Sequence, residues 1–322
     1  MKIKLFLFLS VTTFSFSHAQ NMDSILTIYA SLNKLNGSVL VAKQEKIILQ
    51  KGYGFRSLED SARNDAHTIF QVGSITKEFT AAVILQLEAE KKLSLNDHLS
   101  KWFPGFPNGD SILVRHLLMH SSGIFNYTDM HDFWHRSSKP TNEQSVLDTL
   151  QEHHLLFSAG TKFSYSNSNY MLLAYIITHV TGRPFETILR QRIFSPLQMN
   201  STGFDFTGLN SPKRAIGYWK MSAALVELGP QGDSTQYIGS GELYSTVGDL
   251  YKWHHALQRG QILSPEQQKN AYFANAGNYG YGWELDTFYN HKTVGHSGRM
   301  FGFESGMIAE SLQVTTLMKC NA

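Results

Sequence analysis

Cysteine is almost absent from this sequence: its 322 residues include only Cys320, close to the C-terminus. A disulfide within the chain is therefore excluded, and a packed core has to supply the stability even in an oxidising compartment. A chain of this length can bury such a core in one large domain or in two lobes. No cysteine follows the apolar run at the N-terminus, which excludes lipid attachment there.

The sequence also lacks an excess of charge of one sign. It has 28 lysines and arginines against 26 aspartates and glutamates, a formal charge of +2, and no run of basic residues. Such a composition gives no support for binding to nucleic acid or to an anionic membrane surface. Beyond the N-terminus no apolar run approaches the roughly 20 residues of a transmembrane helix. We therefore expect no stable membrane insertion and no nucleic-acid partner.

The N-terminus has the pattern of a secretory signal peptide. Lys2 and Lys4 precede an apolar run over Leu5–Leu9, and Ser17-His18-Ala19 offers small residues for cleavage before Gln20. Residues 1–19 are thus predicted to be removed, leaving 20–322 as a secreted or periplasmic protein. Because this removes two lysines and no acids, the mature chain is formally neutral.

The predicted elements indicate an α+β fold. Strand patterns at Gly37–Ala42 and Lys46–Gln50 predict an antiparallel hairpin, and strand patterns return after about residue 218. Such an order predicts one antiparallel sheet built from both chain ends, with a helical lobe inserted between them. We expect a single domain, its α/β lobe formed by about 20–70 plus 215–322 and its helical lobe by about 71–214. Helical patterns cover about 22–34, Phe79–Leu87, Leu93–Leu99, Leu113–His120, 143–155, 168–180, 184–193 and 246–258.

Ser74 and Lys77 carry the first chemical signal. Three residues apart on a helix, their side chains share one face, and the apolar run Phe79–Leu87 predicts that this helix is buried. Gly73 permits a sharp turn into the helix, and burial would lower the pKa of the lysine. These features are typical of an activated serine nucleophile. The alternative is an N-cap serine, and Ser31 and Lys34 repeat the same spacing.

Tyr165 and Asn167 form a second candidate pair, just before the helix predicted near residue 168. A nearby lysine favours the phenolate, so Tyr165 could exchange a proton with Ser74 as general base and then as general acid. Asn167 offers a donor and an acceptor that could orient an amide or ester carbonyl. The alternative is a buried tyrosine followed by an Asx turn.

A third candidate for the site is the segment Gly295-His296-Ser297-Gly298-Arg299. Gly298 would let a substrate backbone approach, and the N–H of Arg299 could join that of Ser74 as an oxyanion hole. His296 would offer a donor, or a charge at low pH, at the rim of the site. The alternative is a simple β-turn.

Together the order Ser-x-x-Lys, Tyr-x-Asn, His-x-Gly resembles the beta-lactamase-related serine hydrolases, the group of class C beta-lactamases, D-alanyl-D-alanine carboxypeptidases, D-aminopeptidases and esterases. Three further segments are similar to the same family: Leu117–Ile124, Gly241–Leu250 and Tyr281–Trp283. The resemblance implies a beta-lactamase/transpeptidase-like fold from about Gly37 onward.

The resemblance also implies roles. Ser74 would be acylated, Lys77 and Tyr165 would share its proton as one coupled unit, and Asn167 and the His296 segment would hold the substrate. Small peptides, esters and beta-lactams are the expected substrates, in that order, and no cofactor is implied. His296 stands where class C enzymes have lysine, which weakens the case for beta-lactams. The chain also ends after its last strand pattern, where relatives continue into a C-terminal helix.

The sequence suggests three other interpretations. Gly295-His-Ser-Gly resembles part of an α/β-hydrolase elbow, but Arg299 replaces its last glycine and no histidine follows His296. The pairs His116/His120 and His131/His135 have helical spacing but lack the His-Glu-x-x-His pattern, so no metal site is predicted. A secreted binding module for cell-wall peptides, acylated once or not at all, remains the main alternative to an enzyme.

Overall fold

A computed structural model describes residues 20–221, 226–273, 277–310 and 315–321. The predicted signal peptide, residues 1–19, lies outside this part of the chain. The strands are β1 (Gly37–Lys43), β2 (Lys46–Tyr53), β3 (Phe55–Ser57), β4 (Ala62–Arg63), β5 (Phe70–Gln71), β6 (Tyr218–Met221), β7 (Val226–Leu228), β8 (Tyr244–Ser245), β9 (Glu284–Phe288), β10 (His291–Met300), β11 (Phe303–Glu310) and β12 (Thr315–Asn321). The α-helices are α1 (20–31), α2 (Thr76–Ala89), α3 (Val114–Leu118), α4 (Phe133–Arg136), α5 (Glu143–Gln151), α6 (Asn167–Thr181), α7 (Phe185–Leu189), α8 (Val247–Gln258) and α9 (Pro265–Ala271).

Six strands form one antiparallel sheet in the order β2-β1-β12-β11-β10-β9. The two ends of the chain meet in it, because β12 lies between β1 and β11. This confirms the predicted sheet built from both ends, with the predicted β1–β2 hairpin at one edge. The opposite edge carries β9 and β10, and β10 contains the His-x-Gly segment.

The β1 strand is buried on both faces, and its alternating side chains enter two cores. Leu40 and Ala42 join the main core, whereas Val39 and Val41 pack in a smaller cluster under α1. A strand covered on both faces is expected to be largely apolar, and the run Val39–Ala42 of β1 is apolar throughout.

The α1 helix exists where the sequence predicts it, but the apolar spacing does not mark its buried face. Met22, Leu26 and Ala30 pack on the smaller core. The residues that suggested the helix all lie more than half exposed: Ile25, Ile28, Tyr29 and Leu32. Apolar side chains without a packing partner in the described chain therefore cover the outer face of α1.

The α2 helix is the most deeply buried one, as its apolar run predicts. All of its residues from Thr76 to Leu85 are buried, and its Phe79 stacks on Trp253 of α8 with ring centroids 4.2 Å apart. Glu78 lies in the same layer, where its Oε2 accepts a hydrogen bond from Nε1 of Trp253 at 2.8 Å. Burial raises the pKa of Glu78 well above its usual value, which favours a neutral carboxylic acid in this core.

The prediction of a helix over Leu93–Leu99 was wrong. The segment forms turns followed by a 3-10 turn at Leu99–Lys101. Side chains compete for the backbone there, since the N–H of Ser94 donates to Asp97. The carbonyls of Leu95 and Asp97 accept hydrogen bonds from residues 114 and 115, which leaves them unavailable for a helix.

The α9 helix was not predicted. Ser264 and Gln267 form a capping box around Pro265 at its start, so a helix-start signal was present in the sequence.

Within the described residues, no helix is both long and apolar enough to cross a membrane.

Candidate active site

The nucleophile candidate lies in a tight turn between β5 and α2. Gly73 begins a 3-10 turn, Gly73–Ile75, with a φ of +51°, which favours glycine and confirms the predicted sharp turn. A β-carbon on Gly73 would lie 2.8 Å from the backbone nitrogen of Arg299. The glycine therefore also lets β10 pack directly against the turn that holds Ser74.

Gly298 on β10 likewise leaves space for the turn that holds Ser74. A β-carbon there would lie 2.0 Å from the carbonyl oxygen of Val72 and 3.0 Å from the nitrogen of Ser74. We expected a substrate backbone in this space, but the turn of the protein itself occupies it. The close approach places the backbone nitrogens of Ser74 and Arg299 on neighbouring segments, as an oxyanion hole requires.

Lys77 contacts Ser74 as their spacing predicts. Its Nζ donates to Oγ of Ser74 at 2.9 Å, to Oδ1 of Asn167 at 2.8 Å and to the carbonyl oxygen of Ser240 at 2.6 Å. The side chain is fully buried. Burial lowers the pKa of Lys77 well below its usual value, as predicted, although the carboxyls of Glu242 and Glu284 oppose the shift.

This geometry suits a neutral amine. A neutral lysine has two N–H groups and one lone pair. Asn167 and Ser240 present oxygen acceptors, which can take both N–H groups. The lone pair would then face the hydroxyl of Ser74 and could accept its proton.

Tyr165 contacts the same serine from another side. Its hydroxyl donates to Oγ of Ser74 at 2.9 Å, and its ring centroid lies 4.9 Å from Nζ of Lys77. The expectation of an easily ionised phenol was wrong, because burial raises the pKa of Tyr165. Desolvation, together with the nearby carboxylate of Glu284, outweighs the hydrogen bond to Ser74. A neutral tyrosine is a proton donor at this position.

The ring of Tyr165 rests on a buried histidine. His120 lies 4.2 Å from it between ring centroids, and its Nδ1 accepts a hydrogen bond from the N–H of Ser166 at 3.2 Å. His120 adopts a φ of +52°, so the segment turns sharply beneath Tyr165. The resemblance of Leu117–Ile124 to the family thus marks a segment that supports the tyrosine.

Asn167 is held within the protein at both ends of its amide. Besides accepting from Lys77, it donates through Nδ2 to Oγ1 of Thr128 at 3.1 Å, and its N–H donates to Oδ1 of Asn126 at 2.9 Å. We expected it to orient a substrate carbonyl. The observed contacts instead position the lysine.

His296 does not lie at the rim, and this prediction was also wrong. Its side chain is buried and contacts the hydroxyl of Tyr279 at 2.9 Å and the carbonyl oxygen of Ser297 at 2.5 Å. Burial lowers the pKa of His296 to about 3, so the ring is neutral at pH 7. Its approach to Oε1 of Glu284, at 3.5 Å, is therefore not an ion pair.

Two cavities flank the cluster. The first, which we call the Ser74 cavity, has a volume of about 690 Å³ and is lined by Ser74, Asn167 and Arg299, with Trp134 and Phe301 among its aromatic residues. The second, the Tyr165 cavity, has a volume of about 980 Å³ and is lined by Tyr165, His296, Glu284, Phe163, Tyr279 and Phe288. Ser74 lines the first cavity, and Tyr165, which contacts Ser74, lines the second.

Several contributors to this site were missed in the sequence. Ser240 acts through its backbone carbonyl, which no side-chain motif reveals. Glu242 follows it, accepts hydrogen bonds from the N–H groups of Gly239 and Gly241, and has a pKa that burial raises to about 7. The family-like segment that starts at Gly241 was the available signal. Glu284 had none.

The first of the two histidine pairs, His116 and His120, has other partners. Nδ1 of His116 accepts a hydrogen bond from the N–H of Leu113, and His120 supports Tyr165. Over residues 20–310, apart from 222–225 and 274–276, no group of three or more His, Cys, Asp or Glu side chains is placed to hold a metal ion.

Comparison with known proteins gives consistent results. A protein of Bacillus subtilis (strain 168) named as a penicillin-binding protein, PbpX, is 30% identical over 259 residues, 80% of this chain and 64% of its own. Teichoic acid D-alanine hydrolase of Staphylococcus aureus is 30% identical over 238 residues, 74% of this chain and 58% of its own. The chain thus spans about three fifths of the length of these curated relatives.

Solved structures show the same fold. D-amino acid amidase from Ochrobactrum anthropi SV3, complexed with D-phenylalanine, superposes with a TM-score of 0.81 at 26% identity, covering 95% of this chain and 91% of that one. The beta-lactamase family profile matches residues 27–312. With its sheet built from both chain ends and Ser74, Lys77 and Tyr165 in mutual contact, the chain belongs to the beta-lactamase family.

Proposed function

We propose that this protein is a serine hydrolase that cleaves small amides or esters of D-amino acids through an acyl-enzyme on Ser74. The observation that carries the proposal is the convergence of Lys77 and Tyr165 on Oγ of Ser74, each at 2.9 Å. Relatives named for D-alanine hydrolysis and D-amino acid amidase activity support the substrate class.

Lys77 starts the reaction in this mechanism. Its neutral amine accepts the proton of Ser74 while Oγ bonds to the carbonyl carbon of the substrate. The N–H groups of Ser74 and Arg299 would stabilise the negative oxygen that forms, a contribution of roughly 3 kcal/mol per donor in other hydrolases. The close approach of Gly73 and Gly298 supports this pairing.

Tyr165 completes the acylation. The bond from the carbonyl carbon to the leaving oxygen or nitrogen breaks, and the phenol gives its proton to the leaving group. The resulting tyrosinate takes up the proton held on Lys77, whose Nζ lies 4.9 Å from the tyrosine ring centroid, and both groups are neutral again. Water attacks the acyl-enzyme, gives one proton to Lys77 and releases the acid, and that proton restores Ser74. The balance is one water consumed, one acid and one alcohol or amine released.

Beta-lactams rank below peptides and esters as substrates. His296 is neutral at pH 7, so it offers no fixed positive charge to a substrate carboxylate. We also propose that the protein acts in the periplasm or outside the cell, because the sequence begins with a predicted signal peptide. The intact mass of the protein recovered from the producing cell tests this, with a chain that starts at Gln20 as the expected result.

The direct test is the intact mass of the mature protein after incubation with a fluorophosphonate or with a penicillin. Turnover of D-alanine 4-nitroanilide is followed in parallel by the release of 4-nitroaniline. The wild type should form a fluorophosphonate adduct and turn over the anilide, and Ser74→Ala should do neither. A penicillin adduct that persists would favour a peptidase-like site, and rapid release would favour beta-lactamase activity. If a protein that melts cooperatively forms no adduct, the binding-module alternative is favoured and the enzyme proposal fails.

A further inference from the structure

Glu284 lies beside the catalytic cluster, and the basic side chain nearest to it among the described contacts is the neutral ring of His296, whose Nδ1 lies 3.5 Å from Oε1. It opens β9 opposite Gly295 of β10, and its carboxylate accepts from the N–H of Ser297 at 3.0 Å and from Oγ of Ser297 at 2.8 Å. The side chain is 43% exposed and lines the Tyr165 cavity. A ligand in that cavity would therefore meet this carboxylate.

In the proposed mechanism the leaving group departs on the side of Tyr165, which is the side of the Tyr165 cavity. Of the two groups that contact Oγ of Ser74, Lys77 is fully buried and lines neither cavity, whereas Tyr165 lines this one. The group that protonates a leaving atom has to lie on the leaving side of the carbonyl carbon. Ser74 and Arg299, the oxyanion-hole candidates, line the Ser74 cavity together with Asn167.

The charged side chains around the Tyr165 cavity are mainly acidic. Glu284, Asp286 and Glu310 line it, with Lys43 and His291 as the basic groups. His291 contacts Glu310 at 2.6 Å, so these two offset each other when the histidine is charged. Lys43 lies on β1, four strands from Glu284, which is roughly 19 Å at the usual strand spacing. Among the charged side chains that line this cavity, Glu284 is therefore the one whose charge acts on Tyr165.

We propose that the Tyr165 cavity is the leaving-group subsite and that Glu284 makes it select neutral or cationic leaving groups over those that carry a carboxylate. This inference rests on the proposed function and narrows its substrate class. D-Aminoacyl esters and amides of neutral or cationic alcohols and amines become the expected substrates. Peptides that end in a free carboxylate next to the scissile bond are disfavoured, because two carboxylates would approach in a partly desolvated cavity.

The test uses three acetates with one acyl group and different leaving groups: phenyl acetate, 3-carboxyphenyl acetate and 3-(trimethylammonio)phenyl acetate. Burial raises the pKa of Glu284, so the assay is run at about pH 8 to favour the ionised carboxylate. The ratio of kcat/KM for the cationic ester to that for the carboxylate ester is measured in the wild type and in Glu284→Gln. The ratio cancels any change in the basal reactivity of Ser74.

Glu304→Gln is the matched control, since Glu304 is a carboxylate that lines the other cavity, where it accepts from Arg299 at 2.8 Å. We expect Glu284→Gln to lower the cationic-to-carboxylate ratio about tenfold, the effect of one partly screened charge at close range. Glu304→Gln should leave that ratio within about twofold. Phenyl hemisuccinate, which carries its carboxylate on the acyl side, should keep its rate relative to phenyl acetate in Glu284→Gln.

Two results would overturn the inference. An unchanged cationic-to-carboxylate ratio in Glu284→Gln, with hydrolysis still dependent on Ser74, would reject it and leave the proposed function intact. A change confined to phenyl hemisuccinate would place the acyl group in the Tyr165 cavity and reject it as well. If Ser74→Ala hydrolyses all three acetates as fast as the wild type, the proposed function fails and this inference with it.

Discussion

Oδ1 of Asn167 accepts a hydrogen bond from Nζ of Lys77 at 2.8 Å, so the asparagine of the Tyr-x-Asn pair contacts the lysine of the Ser-x-x-Lys pair. The two residues lie 90 positions apart in the sequence. Because the acceptor is a neutral amide, it orients the amine without adding a charge that would hold the proton. The pKa of Lys77 should therefore depend strongly on the charge of the side chain at position 167.

Asn167→Asp should therefore shift the pH dependence of kcat/KM. The base has to be neutral, so activity rises with pH through the pKa of Lys77. A carboxylate beside the amine favours the ammonium form and should move this rise upward by about one to three pH units. Asn167→Ala removes the acceptor and should lower the rate without an upward shift. A rise in Asn167→Asp at the wild-type pH would argue against Lys77 as the base.

Tyr165→Phe should separate substrates by their leaving groups. An amide nitrogen needs a proton to depart, so loss of the phenol should reduce kcat/KM for D-alanine amides by about 10²- to 10⁴-fold. A 4-nitrophenyl ester leaves as a stable anion and should lose less than about tenfold. Equal losses on both substrates would indicate that Tyr165 only positions the serine.

Tyr170→Phe is the control for this experiment. Tyr170 is also buried, but its hydroxyl donates to the carbonyl oxygen of Leu118 at 2.9 Å rather than to the nucleophile. Its loss should lower the melting temperature without changing the ratio of amide to ester activity.

Gly298→Ala should damage the active site through the backbone. The new β-carbon would meet the carbonyl oxygen of Val72 at 2.0 Å, so β10 has to move away from the turn that holds Ser74. We expect at least a 100-fold loss of kcat/KM and a destabilisation of about 1–3 kcal/mol, as for other overpacked sites.

Gly306→Ala tests whether glycine loss in the sheet is harmful by itself. Gly306 lies on the neighbouring strand β11, where a β-carbon would meet nothing within 4 Å. This variant should keep near wild-type activity and stability. Equal damage in both variants would contradict the close-approach argument for Gly298.

His254 should make the protein sensitive to acid. Burial lowers its pKa to about 4, below the unfolded value of about 6.5, so the unfolded state binds the proton more readily. The stability contributed by the neutral ring is complete above pH 6.5 and is lost as the pH falls toward 4. By linkage the loss at pH 5 is about 2 kcal/mol.

His254→Gln should remove this part of the pH dependence. The free energy of unfolding, measured with urea at pH 7.5 and pH 5, should fall by about 2 kcal/mol less in the variant than in the wild type. His296 is also buried and neutral, so a residual dependence should remain. Identical pH dependence in the variant and the wild type would contradict the depressed pKa.

Much of the fold follows from local patterns. The β1–β2 hairpin and the buried α2 helix follow from periodicity and turn residues that act over a few positions. The pairing of the chain ends follows from the order of strand and helix patterns along the chain. The helix prediction over Leu93–Leu99 failed because carbonyls of this segment accept hydrogen bonds from residues 114 and 115, which a local pattern does not include. The apolar residues at helical spacing in α1 did not mark its buried face. Helical spacing predicts that a segment is a helix, but the face that is covered depends on how the rest of the chain packs.

The sequence by itself determined that Ser74 and Lys77 share a face, since i,i+3 spacing is a property of any helix. Only the tertiary structure decided which groups surround that pair: it brings Tyr165 onto Ser74 and the carbonyl of Ser240 onto Lys77. It also decided how deeply each group is buried, which leaves Tyr165 a neutral donor and His296 a neutral interior residue. Depth of burial sets the desolvation that governs protonation, and depth depends on packing between segments far apart in the chain.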